Sequence, residues 1–161
     1  MVRVVFVCLG NICRSPLAEV VLRHKAAARG VSGRLAIESR GTGAWHVGEP
    51  MDARMQRTAA RHGVTGETVA QRFRETDYDF DLILSMDPER HRELLAGAPP
   101  HRRRHIVPFR RFDPEGGEAE GVPDPYYGGE AGFETVYEIV DRTCEALLDA
   151  LLDGSWEQRL G

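Results

Sequence analysis

Lysine is almost missing from this 161-residue chain: Lys25 stands alone against twenty arginines. Arginine suits phosphate recognition, but these arginines run the whole length of the chain and mark out no surface, so no function follows from their number. A positive charge balance is missing too. The net charge of −4 gives no general attraction for nucleic acid or an anionic membrane, and neither is expected as a partner. Long apolar runs are absent near the start. Val4 to Leu9 is too short for a secretory h-region or a membrane span and reads as a buried strand. Three cysteines do not make a disulfide framework, so a reducing, cytoplasmic setting is expected. The six histidines are scattered and form no cluster at metal-ligand spacing. No metal and no other cofactor is expected.

What is present is the composition of an ordinary globule, 42% apolar and 29% charged, long enough for one domain over residues 1–161 with a full core. Apolar β-rich runs predict strands over Val2–Val7, Leu35–Glu38, Asp81–Met86 and His105–Phe109. Helical patterns fall between them. Pro16–Arg29 starts on a proline with Ser15 as a candidate N-cap and stops at Gly30. Asp52–His62 stops at Gly63, and Asp87-Pro88-Glu89 opens a helix to Leu95. Ser39–Gly43 and Phe112–Gly129 read as loops. Phe133–Leu152 is the longest helix, with Val136, Ile139, Val140, Leu147, Leu148 and Leu151 as its core stripe. Alternating strands and helices predict an α/β fold of three layers, α/β/α, around a parallel sheet. In such sheets ligands bind beyond the carboxyl ends of the strands, which puts Cys8, Ser39 and Asp87 on one rim.

The turn after the first strand reads Cys8-Leu9-Gly10-Asn11-Ile12-Cys13-Arg14-Ser15. A cysteine at the amino end of a helix, near an arginine, has its thiolate stabilised by both. The backbone N–H groups of a tight loop form an anion nest. Arg14 adds a bidentate grip on two phosphate oxygens. Gly10 permits close approach, and Asn11 tolerates a left-handed backbone. An isolated buried cysteine is usually a small core hydrophobe. Here the strand, glycine, Arg14, Ser15 and Pro16 all agree with the reactive reading instead. The lysine and glycine spacing of a nucleotide-binding P-loop are absent.

These residues resemble the signature of the low-molecular-weight protein tyrosine phosphatases, Cys-x5-Arg-Ser near the N-terminus. The resemblance extends over Ser39 with Gly41-Thr42, Ala44-Trp45-His46, Ser85-Met86-Asp87, Asp124-Pro125-Tyr126-Tyr127-Gly128 and Phe133–Tyr137. It implies a four-stranded parallel sheet with the phosphatase loop between strand one and helix one. It also implies hydrolysis of phosphotyrosine through a phosphocysteine on Cys8. By local sequence alone Asp124 is a solvated turn aspartate; the resemblance makes it the general acid and base. Leu9 to Cys13 and Arg14 would cradle phosphate, Ser15 would donate to the Cys8 sulfur, and an Asn11–Ser39 hydrogen bond would hold the loop. Ile12, Trp45, Tyr126 and Tyr127 would line a cleft for an aromatic ring, although aromatics in loops often only pack. The implied partners are phosphotyrosine-containing proteins or peptides, with inorganic phosphate as product and inhibitor, and the protein is expected to be a monomer.

Three further readings stay open on the sequence. Some phosphatases of this fold act on phosphoarginine and carry threonine where Ile12 stands; an apolar side chain there favours phosphotyrosine. Arsenate reductases of this fold need further cysteines near strand three, and Ser85-Met86-Asp87-Pro88 has none. A phosphopeptide-binding module needs neither nucleophile nor acid. Cys13 is either a packing thiol or a redox partner for Cys8, and Cys144 reads as core. The basic run His101–His105, with Arg110 and Arg111, reads as a solvated face. Arg40 would alter peptide preference if it faced the pocket. Thr68 stands where some relatives carry a histidine that supports the loop.

Overall fold

Val4, Val5, Phe6 and Val7 are all fully buried, which explains why the first apolar run has no polar alternation: both faces of its strand are covered. In this computed structural model, which describes residues 1–125 and 129–161, the strands are β1 (Val2–Cys8), β2 (Leu35–Gly41), β3 (Leu82–Ser85) and β4 (Ile106–Pro108). They form one parallel sheet in the order β2-β1-β3-β4. The chain leaves β1 toward one side and returns on the other, so the switch in strand order lies at the carboxyl end of β1.

The main helices are α1 (Arg14–Ala28), α2 (Ala53–Arg61), α3 (Pro88–Gly97) and α4 (Gly129–Asp153). Val4, Phe6, Leu82 and Leu84 pack against Leu17 and Val21 of α1 and Val140 and Leu147 of α4. Val5, Val7, Ile83 and Ile106 face the other way, onto Leu94 of α3 with Tyr78 and Phe80. This period-two alternation produces the three-layer α/β/α fold. Among the described residues no helix is long and apolar enough to cross a membrane.

Three boundaries differ from expectation. β2 continues through Ser39 and Arg40 to Gly41, in register with Phe6, Val7 and Cys8. The polar end of this strand stays in the sheet because its side chains have buried partners: Ser39 bonds Glu19 and Arg40 bonds Asp77. α1 begins at Arg14, and Ser15 is not its N-cap; Cys13 occupies that position without a side-chain cap. The Ser15 hydroxyl is engaged by Asn11 and Cys8 instead. α4 starts at Gly129, ahead of Phe133.

The loop after β4 is fastened to α4 by Asp113. Its carboxylate accepts from Arg110 at 2.9 Å and from Arg142 at 2.9 Å. Arg110 also donates to the Gly121 carbonyl at 2.9 Å, one residue before the carbonyl that holds Arg14. Burial works against ionisation of Asp113, but Arg142, the Glu115 N–H and Arg110 together hold its carboxyl below the usual range. A depressed carboxylate stabilises the fold above its unfolded pKa and loses that contribution as pH falls through the folded value. Asp113→Asn should therefore cost about 3 kcal/mol at neutral pH and flatten the acid limb of stability against pH, measured by urea unfolding. An unchanged acid limb would contradict this role.

Candidate active site

From Cys8 the chain turns through Leu9–Cys13 directly into α1. The turn is tight because Asn11 takes a positive φ of 57°, a conformation asparagine tolerates. Its side chain holds the loop from inside. Asn11 Oδ1 accepts from the Gln71 main-chain N–H at 2.9 Å, and Nδ2 donates to Ser15 Oγ at 2.8 Å and Ser39 Oγ at 2.9 Å. The end of β2 lies so close that a Cβ at Gly41 would stand 2.8 Å from the Leu9 carbonyl oxygen. The loop carbonyls turn outward: those of Cys8, Leu9 and Ile12 accept from Thr42, Gly43 and Asp52 at 3.0, 2.9 and 2.7 Å. Among the described residues, the main-chain N–H groups from Leu9 to Arg14 have no protein acceptor.

Arg14 is buried, with 6% of its surface exposed. Its Nη1 donates to Asp87 Oδ2 at 2.9 Å and to the Val122 carbonyl at 2.9 Å. Asp87 holds two elements at once, because its Oδ1 caps α3 by accepting from the Arg90 N–H at 2.8 Å. Cys8 Sγ lies 2.9 Å from Ser15 Oγ.

A cleft of about 150 Å³ opens over this loop. Cys8, Gly10, Ile12 and Arg14 line it from the loop side, and Trp45, His46 and Asp124 from the opposite rim. Trp45 is 72% exposed, and its ring lies over Gly43, where a Cβ would be 1.9 Å away. Asp124 is exposed, between buried Val122 and Pro125. A larger cavity of about 340 Å³ beside α2 is lined by Val20, Met51 and Val64. It is lined by no cysteine, whereas the smaller cleft brings Cys8 together with Arg14 and Asp124, so the smaller cleft is the candidate site. Tyr126 and Tyr127 lie outside the described residues.

Burial first, and Asp52 next, push the Cys13 thiol far up, and burial does the same to Cys144. All three cysteines are free thiols. Among the described residues no group of three or more His, Cys, Asp or Glu side chains is arranged to hold a metal ion.

Several expectations change. Arg40 does not face the cleft; its guanidinium reaches Asp77 Oδ2 at 3.2 Å and Glu38 Oε1 at 3.1 Å. The basic run is not simply solvated. Arg102 donates to the Tyr78 and Phe80 carbonyls, Arg103 to Leu95, and His105 Nδ1 bonds the Asp81 carbonyl, so the run ties down main-chain carbonyls of the turn before β3 and of the last turn of α3. Thr68 keeps its hydroxyl buried without a partner, and the Gln71 N–H supports Asn11 in its neighbourhood. Three participants escaped the sequence reading. Gln71 acts through its backbone and leaves no signal in a sequence. His46, whose Nδ1 bonds Glu49 at 2.8 Å, was legible only as part of a motif. Glu19 had a signal: it sits four residues after Ser15, on the face of α1 that is buried.

The family model described as low molecular weight phosphotyrosine protein phosphatase matches residues 3–155. A low molecular weight protein-tyrosine-phosphatase of Streptomyces coelicolor is 40% identical over 153 residues, covering 92% of this chain and 93% of that one. The solved protein tyrosine phosphatase of Entamoeba histolytica superposes with a TM-score of 0.91 at 34% identity, over 96% of this chain and 99% of that one. A Drosophila arginine phosphatase does so at 0.81 and 31% identity, over 91% and 95%. With matches along nearly the whole chain and the cysteine loop at its expected place in the fold, the protein belongs to the low molecular weight phosphotyrosine protein phosphatase family.

Proposed function

We propose that this phosphatase hydrolyses phosphotyrosine in proteins or peptides through a phosphocysteine on Cys8. The observation that carries the reading is the meeting of Cys8, Arg14 and Asp124 around one cleft whose outer wall is Trp45. The loop N–H groups and Arg14 bind the non-bridging phosphate oxygens, with no protein acceptor to displace from the N–H groups. Cys8 Sγ attacks phosphorus in line. The bond from phosphorus to the phenolic oxygen breaks as Asp124 transfers its proton to that oxygen. Asp124, now a carboxylate, takes a proton from water as the water oxygen attacks phosphorus. The sulfur–phosphorus bond breaks, the thiolate returns, and inorganic phosphate leaves. Throughout, the charge on the equatorial oxygens meets preorganised donors.

Cys13 does not compete as nucleophile, since burial keeps it a thiol. An arsenate-reductase relay lacks its parts: β3 leads into Ser85-Met86-Asp87, and Cys144 is fully buried against the Ala18 carbonyl. Ile12 and Trp45 favour an aromatic ester over a guanidinium phosphate. The reading further includes action as a cytoplasmic monomer, competitive inhibition by phosphate, and a reversible Cys8–Cys13 disulfide under oxidation.

Initial rates on matched phosphotyrosine, phosphoserine and phosphoarginine peptides test the substrate. Phosphotyrosine should be preferred; a preference for phosphoarginine would sink the reading. Asp124→Asn tests the acid. Hydrolysis of phenyl phosphate should fall about 100-fold or more, while a substrate with a strongly acidic leaving phenol should lose far less in the first step. Equal losses on both would remove Asp124 from that role.

A further inference from the structure

Glu19 is a buried acid that the mechanism above does not use. Only 7% of it is exposed, and it faces the end of β2. Its Oε1 accepts from Ser39 Oγ at 2.5 Å, and its Oε2 pairs with Arg23 on its own helix. The other charges acting on it are Glu38 and Arg40 of β2.

Counting hydrogens shows how this acid connects to Cys8. Asn11 Oδ1 takes the Gln71 N–H, which orients the amide. Both Nδ2 hydrogens are therefore donated, one to Ser15 Oγ and one to Ser39 Oγ. Each of those hydroxyls has a single hydrogen left to give. Ser39 gives its hydrogen to Glu19. Ser15 gives its hydrogen to Cys8 Sγ at 2.9 Å, with the Arg40 carbonyl at 3.3 Å as the weaker alternative. The network thus runs outward from one amide along two arms, and each arm ends on a group able to carry negative charge.

A carboxylate at the end of the Ser39 arm can only accept, so it permits one polarity. A carboxylic acid can donate to Ser39, leaving that hydroxyl with two donors and its own hydrogen without the Glu19 acceptor. We propose that Glu19 is a positioning residue of the reaction: its carboxylate is the terminal acceptor that holds Ser39, and through Ser39 the Asn11 amide, so that the Ser15 hydrogen is delivered to the Cys8 sulfur. This rests on Cys8 being the nucleophile. Burial raises the Glu19 carboxyl above its ordinary range, with the Ser39 bond and Arg23 opposing and Glu38 adding. The acid and carboxylate forms therefore exchange at a higher pH than for a surface glutamate, and the effect should be visible as a pH dependence.

The test measures kcat against pH, the rate of Cys8 alkylation by iodoacetate against pH, and thermal midpoints. It uses wild type, Glu19→Gln, Glu19→Asp and Ser39→Ala. In Glu19→Gln, kcat at neutral pH should fall about three- to tenfold, the difference between a charged and a neutral acceptor. The acid-side inflection expected of wild type in both profiles should disappear. Glu19→Asp should recover part of the rate and the inflection. The thermal midpoint should move the other way. A carboxylate with a raised folded pKa costs stability as pH rises through that value, so Glu19→Gln should be at least as stable as wild type at neutral pH. Loss of activity without loss of stability is what a packing role would not produce. Ser39→Ala cuts the arm while leaving Glu19 in place, and should show the same loss and the same missing inflection even if Glu19→Gln does not fold.

Wild-type profiles retained in Glu19→Gln, or in Ser39→Ala where Glu19→Gln fails to fold, would overturn the proposal. So would a uniform loss that follows a falling thermal midpoint with the inflection intact. If wild type itself is not inactivated by iodoacetate, or phosphate does not protect it, the Cys8 reading fails and the proposal falls with it. If wild type is inactivated and protected while the variants match it, only the role of Glu19 fails.

Discussion

Cys8→Ser should fold, bind phosphate and turn over no substrate, with kcat reduced by at least about 10,000-fold, as for loss of the nucleophile from other covalent catalysts. Cys8 is 3% exposed at the end of β1, with its backbone in ladder register with Gly41. A serine fits that space without moving the loop. The anion-binding parts are elsewhere: the N–H groups from Leu9 onward and the Arg14 guanidinium, both held by contacts that do not pass through sulfur. Reactivity is what disappears. A serine hydroxyl at that position has no adjacent base to take its proton, because Ser15 already accepts from Asn11 and Asp124 lies across the cleft, on the leaving-group side. Two measurements decide. Phosphate affinity by calorimetry should stay within a few-fold of wild type, and single-turnover assays on a phosphotyrosine peptide should give no dephosphorylated peptide. Turnover within a hundredfold of wild type would remove Cys8 from the chemistry.

Arg14→Lys should be nearly as damaging, lowering kcat/KM by about 1,000-fold, although charge is conserved. The guanidinium has five N–H donors in a rigid fork. Two are engaged by Asp87 and the Val122 carbonyl through Nη1. That leaves Nη2 and Nε, a parallel pair suited to two phosphate oxygens. The protein holds one side of the fork so that the other is already aimed when substrate arrives. Lysine has three donors on one atom and a flexible stem. If it reaches Asp87 it gives up the phosphate, and if it turns to the phosphate it leaves the half-buried Asp87 carboxylate with only the Arg90 contacts. Phosphate should bind more weakly as well, since both ground and transition states use the fork. A lysine variant with kcat/KM within tenfold of wild type would show that charge alone suffices, and the fork argument would be wrong.

The same geometry explains why some of this was readable from the sequence and some was not. The nucleophile loop is a local device. Cys8, Gly10, Asn11, Arg14 and Ser15 lie within eight residues, and a strand leading into a helix is enough to bring them around one point. Its left-handed asparagine and its missing cap both follow from chain geometry within a single turn. The strands and helices were readable for a similar reason: Val4–Val7 are covered on both faces, and Asp87-Pro88 announces α3 by cap and first-turn chemistry. The end of β2 reads as loop in the sequence because Ser39 and Arg40 are polar, yet it stays in the sheet because both side chains have buried partners.

Those partners are far away in the chain. Arg14 meets Asp87 and Val122 at separations of 73 and 108 residues, Asn11 meets Gln71 at 60, and Ser39 meets Glu19 at 20. Which of many arginines, acids and carbonyls pair is decided by the strand order β2-β1-β3-β4, which gathers the ends of three strands beside Cys8. The sequence by itself determined the reaction class, because one short turn contains the nucleophile, the anion cradle and the arginine. Only the tertiary structure decided which surroundings hold that turn in shape: Arg40 directed away to Asp77, Arg14 fastened on one side of its fork, and Glu19 at the end of a hydrogen-bond arm leading back to the sulfur. Hydrogen-bond partners across a sheet are set by topology, and topology leaves no local trace in the residues it joins.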